Sequence, residues 1–385
     1  MEFTLTKEQE EFRAAVCAFL SQERVTAVVE QARALPPRTE PGLIDVYRWL
    51  GERGWLAVNW PVEYGGLGRG VVEKALLTEE LIKHEVPDLV HIVSIDIIGQ
   101  ILQLVGTEEQ RARLLPPLAR GEQSASVLYT EPQAGSDLGA LETRAIPDGD
   151  GWRLYGRKVY SLKSQFADFA LCAARTTDSA VQIHGITLFI VPMRTPGSTV
   201  RLLPNMSDEA FCDVTLDGIR VGPLDVIGNV DEGWQTMNQV LPVERTGLEF
   251  QAKAKRLLGQ LVRHAKETGL LDDPVYASRL VELYTEVEAA HLLAWRVIRD
   301  LDAGRLDGLS TAESKWYSTE LFKKIARFGG DLLGLDGTLT RWDAEPVCGG
   351  RLEAADREGP GITLSAGTSE IMRYLIASAG LKLLG

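Results

Sequence analysis

The sequence predicts an α+β protein in three consecutive parts: a helical segment at 1–121, an antiparallel β-domain at 122–231 and a second helical segment at 232–385. Three observations lead there. Apolar residues recur at three- and four-residue steps over the first part and again from Gly233 onward. Between them the texture changes to short β-type runs, SASVLYT, WRLYGRKVYSL, FALCAART, GITLFIVPM and FCDVTLDGIRV, separated by Pro, Gly and Asp. Finally, 385 residues exceed one ordinary core, and a prior of ~150 residues per domain gives two or three.

In the first helix Leu5, Phe12, Val16, Phe19 and Leu20 make one apolar face, and Thr6 with Gln9 has the spacing of a capping box. Further helices are expected around 43–54, 71–85, 89–105 and 107–120, with the loop WPVEYGGLGRG between the second and third. Its glycines follow no β-run and lack the GxGxxG spacing, so they read as a tight turn rather than a dinucleotide fingerprint. The β-runs then fill 122–231. From Gly233 one helical run is expected to about Thr268, with Pro242 inside it, and later breaks near Gly269–Asp273, Gly304–Gly308 and Gly334–Gly337. LVELYTEVEAAHLLAWRVIRDL, at 280–301, reads as a bundle helix.

The composition, 45% hydrophobic and 25% charged, is that of a globular protein, and no apolar run approaches a membrane span. The start, MEFTLTKEQEEFRAAV, lacks the basic and apolar regions of a signal peptide, so a cytoplasmic location is expected. A net charge of −13 without Lys/Arg clusters argues against nucleic acid as a partner. Four scattered cysteines and five histidines form no CxxC or HExxH, so neither disulfides nor a metal are expected.

Several stretches carry candidate chemistry. In LYTEPQAGSDLGALETRA, at 128–145, Thr130, Gly135 and Ser136 close an apolar run; the segment reads either as a plain connection or as backbone N–H groups and hydroxyls holding the polar edge of a ring or thioester. Trp152 and Tyr160 in GWRLYGRKVYS are either ordinary sheet residues or an aromatic wall beside a planar ligand. In LPVERTG, Glu244 just past Pro242 is either a surface acid or a group beside a cavity. GITLSAGTSEIMR, at 361–373, has the small-residue tip of a loop pressed against a ligand, yet that tip holds no ionisable side chain.

EYGGLG, YTEPQAGSD, Gly156-x-Lys158-x-Tyr160-Ser161 with Ala167-Asp168, VERTG and AGTSEI, in this order, resemble the acyl-CoA dehydrogenase family of flavoproteins over essentially the whole chain. The resemblance implies an N-terminal helical domain, a middle β-barrel or sandwich and a C-terminal four-helix bundle. It implies FAD as cofactor, held by Tyr129, Thr130, Gly135, Ser136, Tyr160, Ser161, Thr368, Ser369 and Glu370, with Gly334 and Gly337 in the segment matching a contact to a neighbouring subunit's cofactor. Leu162 stands where many members carry a hydroxyl aimed at the flavin N5, a contact that moves to Ser161 or is lost. Asp331 replaces the glutamine of the Gly-rich contact, and HAKETGLLDDPV lacks the arginine-x-x-Phe-Gly motif. Both departures point to the subgroup acting on bulky or unusual acyl thioesters.

The implied reaction is α,β-dehydrogenation of an acyl thioester, on coenzyme A or an acyl-carrier protein, which needs a base opposite the flavin. Most members place a glutamate where this chain has Ala366; relatives resembling isovaleryl-CoA dehydrogenase supply it from the position of Glu244. By the same resemblance Ser136, Arg245, Gly247, Ala366 and Gly367 face the substrate, and Glu370 is a distant second candidate for the base. The resemblance also implies a homo- or hetero-oligomer, dimer or tetramer, and an electron-transfer flavoprotein as acceptor. Two other readings stand beside it: a flavin oxidase or monooxygenase on the same fold, and a non-catalytic partner subunit.

Overall fold

The computed structural model describes residues 4–36, 38–39, 44–87, 90–305 and 307–383, with the side chains at 90 and 241–244 outside that description. Helix α1 (Lys7–Leu20) opens on the expected capping box: the Thr6 hydroxyl accepts the Gln9 N–H while the Gln9 side chain accepts that of Thr6. Its face of Phe12, Val16, Phe19 and Leu20 is buried. The first part continues through α2 (Glu23–Ala34), α3 (Asp45–Gly51) and α4 (Val71–Lys83). A wide, π-type helix, Val90–Gly99, then runs on as α5 (Gln100–Val105) and is followed by α6 (Glu108–Ala119). The glycine-rich stretch before α4 is a tight turn, closed by Gly65 in the left-handed region.

Eight strands follow: β1 (Ala125–Leu128), β2 (Arg144–Asp148), β3 (Gly151–Leu162), β4 (Phe169–Arg175), β5 (Ile186–Pro192), β6 (Ser198–Leu202), β7 (Phe211–Val221) and β8 (Val226–Ile227). They form one sheet in the order β6-β7-β3-β2-β4-β5-β8, with β1 on β4. The expectation of an antiparallel domain needs amendment at two pairings: β1 runs parallel to β4, and β2 meets β4 in parallel at Arg144 and Arg175. Alternation and turn residues specify hairpins between sequential strands, whereas β1 reaches β4 past the whole β2–β3 hairpin. Strand β4 is buried on both faces. Phe169, Leu171 and Ala173 join the core shared with the N-terminal helices, and Ala170, Cys172 and Ala174 join the core of the β-domain itself. Trp152 is an ordinary sheet residue, packed edge-on against Phe189 with ring centroids 5.6 Å apart.

The last part comprises α7 (Gly233–Glu244), α8 (Leu248–Glu267), α9 (Pro274–Asp302), α10 (Gly308–Leu333), α11 (Arg351–Leu364) and α12 (Ser369–Leu375). Four long helices, α8 to α11, share one core that includes Leu258, Leu261, Leu283, Phe322, Ile325 and Leu352. The single helical run expected from Gly233 to Thr268 is in fact two helices. Its break falls at Arg245–Gly247, and Gly247 adopts φ +77°. Glu249 lies on α8 and pairs with Lys253 at 3.0 Å. Among the described residues no helix is long and apolar enough to cross a membrane.

Candidate active site at the domain junction

The middle-domain half of the site is built on a bulge in β3. Pairing with β7 slips by one residue between Lys158 and Ser161, and the extra residue puts Tyr160 at φ +56°. Its ring therefore leaves the sheet and stands 66% exposed. The neighbouring Val159 N–H donates to the Thr130 carbonyl at 2.9 Å, which sets the YTEP segment alongside this ring. Thr130 and Tyr129 are half-buried, while Gly135 and Ser136 lie open, with free space where a Gly135 side chain would be. An exposed aromatic ring beside accessible hydroxyl and backbone groups fits a flat ligand with a polar edge.

Beneath this surface is a buried ion pair. Lys158, fully enclosed, donates to the Glu131 carboxylate at 2.7 Å and to the Tyr129 carbonyl at 3.0 Å. Glu131 also accepts the backbone N–H groups of Glu142 and Thr143, at 2.6 and 2.9 Å. Burial pushes this carboxyl up, but the Lys158 ammonium and the hydrogen bonds outweigh it and hold the group below its ordinary range. One lysine thus ties Tyr129–Glu131 to β3. Its burial is visible in the strand alternation, which puts Lys158 on the same face as the buried Leu154.

Ser161 does not present its hydroxyl outward. It donates to the Val127 carbonyl at 2.8 Å and forms a buried cluster with Ser126 and Ser164. Any contact of Ser161 with a ligand on the Tyr160 side falls to its backbone.

The C-terminal half gathers residues far apart in sequence. The turn after α11 has Ala366 at φ +52° and Gly367 at φ +90°. Arg245, the residue after Glu244, donates from Nε to the Ala366 carbonyl at 2.9 Å. Fully buried Lys315 of α10 donates to the Gly367 carbonyl at 2.7 Å. Residue 244 is thereby brought, through its backbone neighbour, to the turn where the sequence lacks an acid; the Glu244 side chain itself lies outside the described residues. Sequence reasoning missed Lys315, although a lysine among Thr311, Ser318 and Thr319 on a helix face is a readable signal.

Gly247 packs against α10. A Cβ there would lie 2.4 Å from Ser314 Oγ and 2.8 Å from the Ser314 backbone. The missing side chain admits α10, and Ser314 fills the gap by donating to the Thr246 carbonyl. Gly247→Ala is expected to cost about 1–3 kcal/mol through the positive φ alone, with the clash added. Chemical denaturation of the two proteins measures it.

Thr368 caps α12 by accepting the Ile371 N–H, and Ser369 donates to Glu320 at 2.6 Å, so both hydroxyls are used within the chain. Glu370 is exposed and paired with Arg373. Backbone hydrogen bonding at its own N–H, then the Thr368 hydroxyl, hold its carboxyl below the ordinary range, which makes it a poor base. Gly334 and Gly337 lie at the exposed end of α10, away from this junction in the chain fold, beside the outward-facing Leu335. Elsewhere Cys17, Glu80 and His84 approach one another, but Arg13 and Lys83 already occupy the Glu80 carboxylate.

Known proteins match this arrangement along its length. The chain matches the acyl-CoA dehydrogenase N-terminal domain over residues 6–122, the middle domain over 126–219 and the C-terminal domain over 231–381. It is 28% identical to acyl-CoA dehydrogenase FadE26 of Mycobacterium tuberculosis, across 100% of this chain and 99% of that protein. Among solved structures it is similar to the Tcur3481-Tcur3483 steroid ACAD, with a TM-score of 0.89, 29% identity and 99% of each chain covered. It is also similar to the prolyl acyl carrier protein oxidase AnaB, with a TM-score of 0.85, 25% identity and coverage of 98% of this chain and 99% of that one. With all three domains matched in order, the chain belongs to the acyl-CoA dehydrogenase family of flavoprotein oxidoreductases acting on CH–CH groups.

Proposed function

We propose that this protein dehydrogenates an acyl thioester between its α- and β-carbons, with Glu244 as the base and FAD as the cofactor. The observation that carries the reading is the Arg245–Ala366 contact, which brings the end of α7 to the turn that holds no acid. Glu244 takes the α-proton; Ala366 and Gly367 leave room for the thioester. Arg245 and Lys315 hold the turn's carbonyls, so this wall keeps its shape. Tyr160 and Thr130 receive the ring of the cofactor, and Ser136 faces its phosphates or the thioester. When bound, FAD supplies the acceptor for the β-hydride.

The likeness to a steroid ACAD and the small residue at 366 favour a bulky acyl group, while the likeness to AnaB keeps a carrier-protein thioester in view. The test is anaerobic titration of the purified yellow protein with acyl-CoA and acyl-carrier thioesters. Bleaching of the flavin band by either class is the expected result, and no bleaching by any thioester overturns the reading. The likeness to an acyl carrier protein oxidase also favours an oxidase as the second reading, for which oxygen would be consumed without an added acceptor.

A further inference from the structure

The loop between β6 and β7, residues 203–210, is gripped from both helical parts of the chain. Arg38, between α2 and α3, donates to the Asn205 and Ser207 carbonyls, each at 3.0 Å. From the C-terminal part, Arg341 donates to one oxygen of Asp208 at 2.8 Å. Arg357 of α11 donates to the other oxygen at 2.8 Å and to the Met206 carbonyl at 2.7 Å. The loop also closes on itself: Asn205 donates to the Leu203 and Glu209 carbonyls, and Ser207 donates to Asn205. One carboxylate thus receives two guanidinium groups, an arrangement that fixes geometry as well as balancing charge.

Both neighbours of this carboxylate lead to the candidate site. Downstream of the loop, Phe211 and Cys212 of β7 pair with Leu162 and Ser161, directly after the bulge that turns Tyr160 outward. The Ala210 carbonyl accepts the Lys163 N–H at 2.7 Å and closes the same corner. On the other side, Arg357 belongs to α11, which ends at Leu364, just before the turn with Ala366 and Gly367. The Asp208–Arg357 bond therefore links the strand pair that carries the Tyr160 wall to the helix that carries the turn. Stability alone is a weak reason for it. Asp208, Arg341 and Arg357 keep a quarter or more of their side-chain surface exposed, and ion pairs open to water contribute little to folding. A carboxylate bridging two directional donors fixes position instead.

We propose that Asp208 is a positioning residue that holds the Tyr160 wall in register with the turn at 366–367. The inference rests on the thioester reading above. In that reading the proton step uses Glu244 and the turn, which are joined within the C-terminal part by the Arg245–Ala366 bond. The hydride step also needs the ring side, which is tied to α11 through this loop. Loss of the Asp208 contacts loosens the second step and spares the first. The quantity at stake is a reacting distance, and rates fall steeply when it slips.

The test compares Asp208→Ala with the unaltered protein. Arg357→Gln cuts the same contact from the side of α11, and Asp208→Asn keeps an acceptor for one arginine. FAD binding by the apoprotein, followed by flavin fluorescence, is expected to weaken about tenfold in Asp208→Ala and Arg357→Gln, the size of one hydrogen bond to a charged group. With FAD saturating, bleaching by acyl-CoA and acyl-carrier thioesters should slow about tenfold in the same two variants. Exchange of the thioester α-hydrogen in deuterated water should stay unchanged. Asp208→Asn should lie nearer to the unaltered protein in both affinity and bleaching. A merely destabilised fold would lower bleaching and exchange together. Exchange lost as much as bleaching, unchanged bleaching, or FAD bound as tightly as by the unaltered protein overturns this inference alone. No bleaching of the unaltered protein by any thioester overturns the thioester reading and this inference with it.

Discussion

Glu244→Gln is expected to give a folded, yellow protein whose thioester-dependent turnover is lower by about 10³-fold, within the 10²–10⁴ range that a positioned base contributes. Glutamine keeps the size and hydrogen-bonding reach of the side chain and removes only its capacity to take a proton. Residue 244 closes α7 and is followed directly by the Arg245 anchor, so the substitution leaves the link to Ala366 in place. Flavin content and unfolding midpoint should therefore match the unaltered protein. A second measurement isolates the proton step: exchange of the thioester α-hydrogen in deuterated water should vanish in the variant even when no electron acceptor is present. Retained exchange would move the base elsewhere. Glu370, another acid near the turn, is exposed, and its carboxyl is held below the ordinary range.

Lys158→Met is expected to be the most damaging single change outside the reacting groups, costing about 3–5 kcal/mol because it strands a buried carboxylate. Glu131 would keep its two backbone donors but lose the ammonium that balances its burial. Lys158→Met/Glu131→Gln, which removes both charges, should recover part of the loss; denaturation curves of the three proteins measure it. Flavin content should fall in the single variant as well, since Lys158 also anchors the Tyr129 carbonyl beside the Tyr160 bulge. The pH dependence has a definite sign. The Glu131 carboxyl lies below its ordinary value of 4.5 in the folded chain. Its contribution is thus complete above about pH 4.5 and is lost as pH falls through the depressed folded value. Acid unfolding of the double variant should lack that component.

Helix and strand positions were largely legible because burial follows period. The Thr6–Gln9 box, the face of α1 and the breaks before α9 and α10 are all local patterns. Features that depend on a distant partner were not legible. The α7–α8 break depends on Gly247 fitting against Ser314, which lies on another helix. The parallel contact of β1 with β4 and the inward hydroxyl of Ser161 likewise depend on neighbours that sequence spacing does not identify. At the candidate site the motifs named residues whose surroundings were not legible. Tyr160 and Ser136 are open, Thr368 and Ser369 have internal partners, and Arg245 holds a backbone carbonyl.

The turn at 366–367 is fastened by its carbonyl oxygens, one to Arg245 and one to Lys315, and neither fastening uses the side chain at 366. Shape and chemistry are therefore uncoupled at that position. An acid can be absent from the turn without the wall collapsing. If Glu244 is the base, as proposed above, the scaffold has two sockets for one reagent, and the two cations allow the first to stand empty.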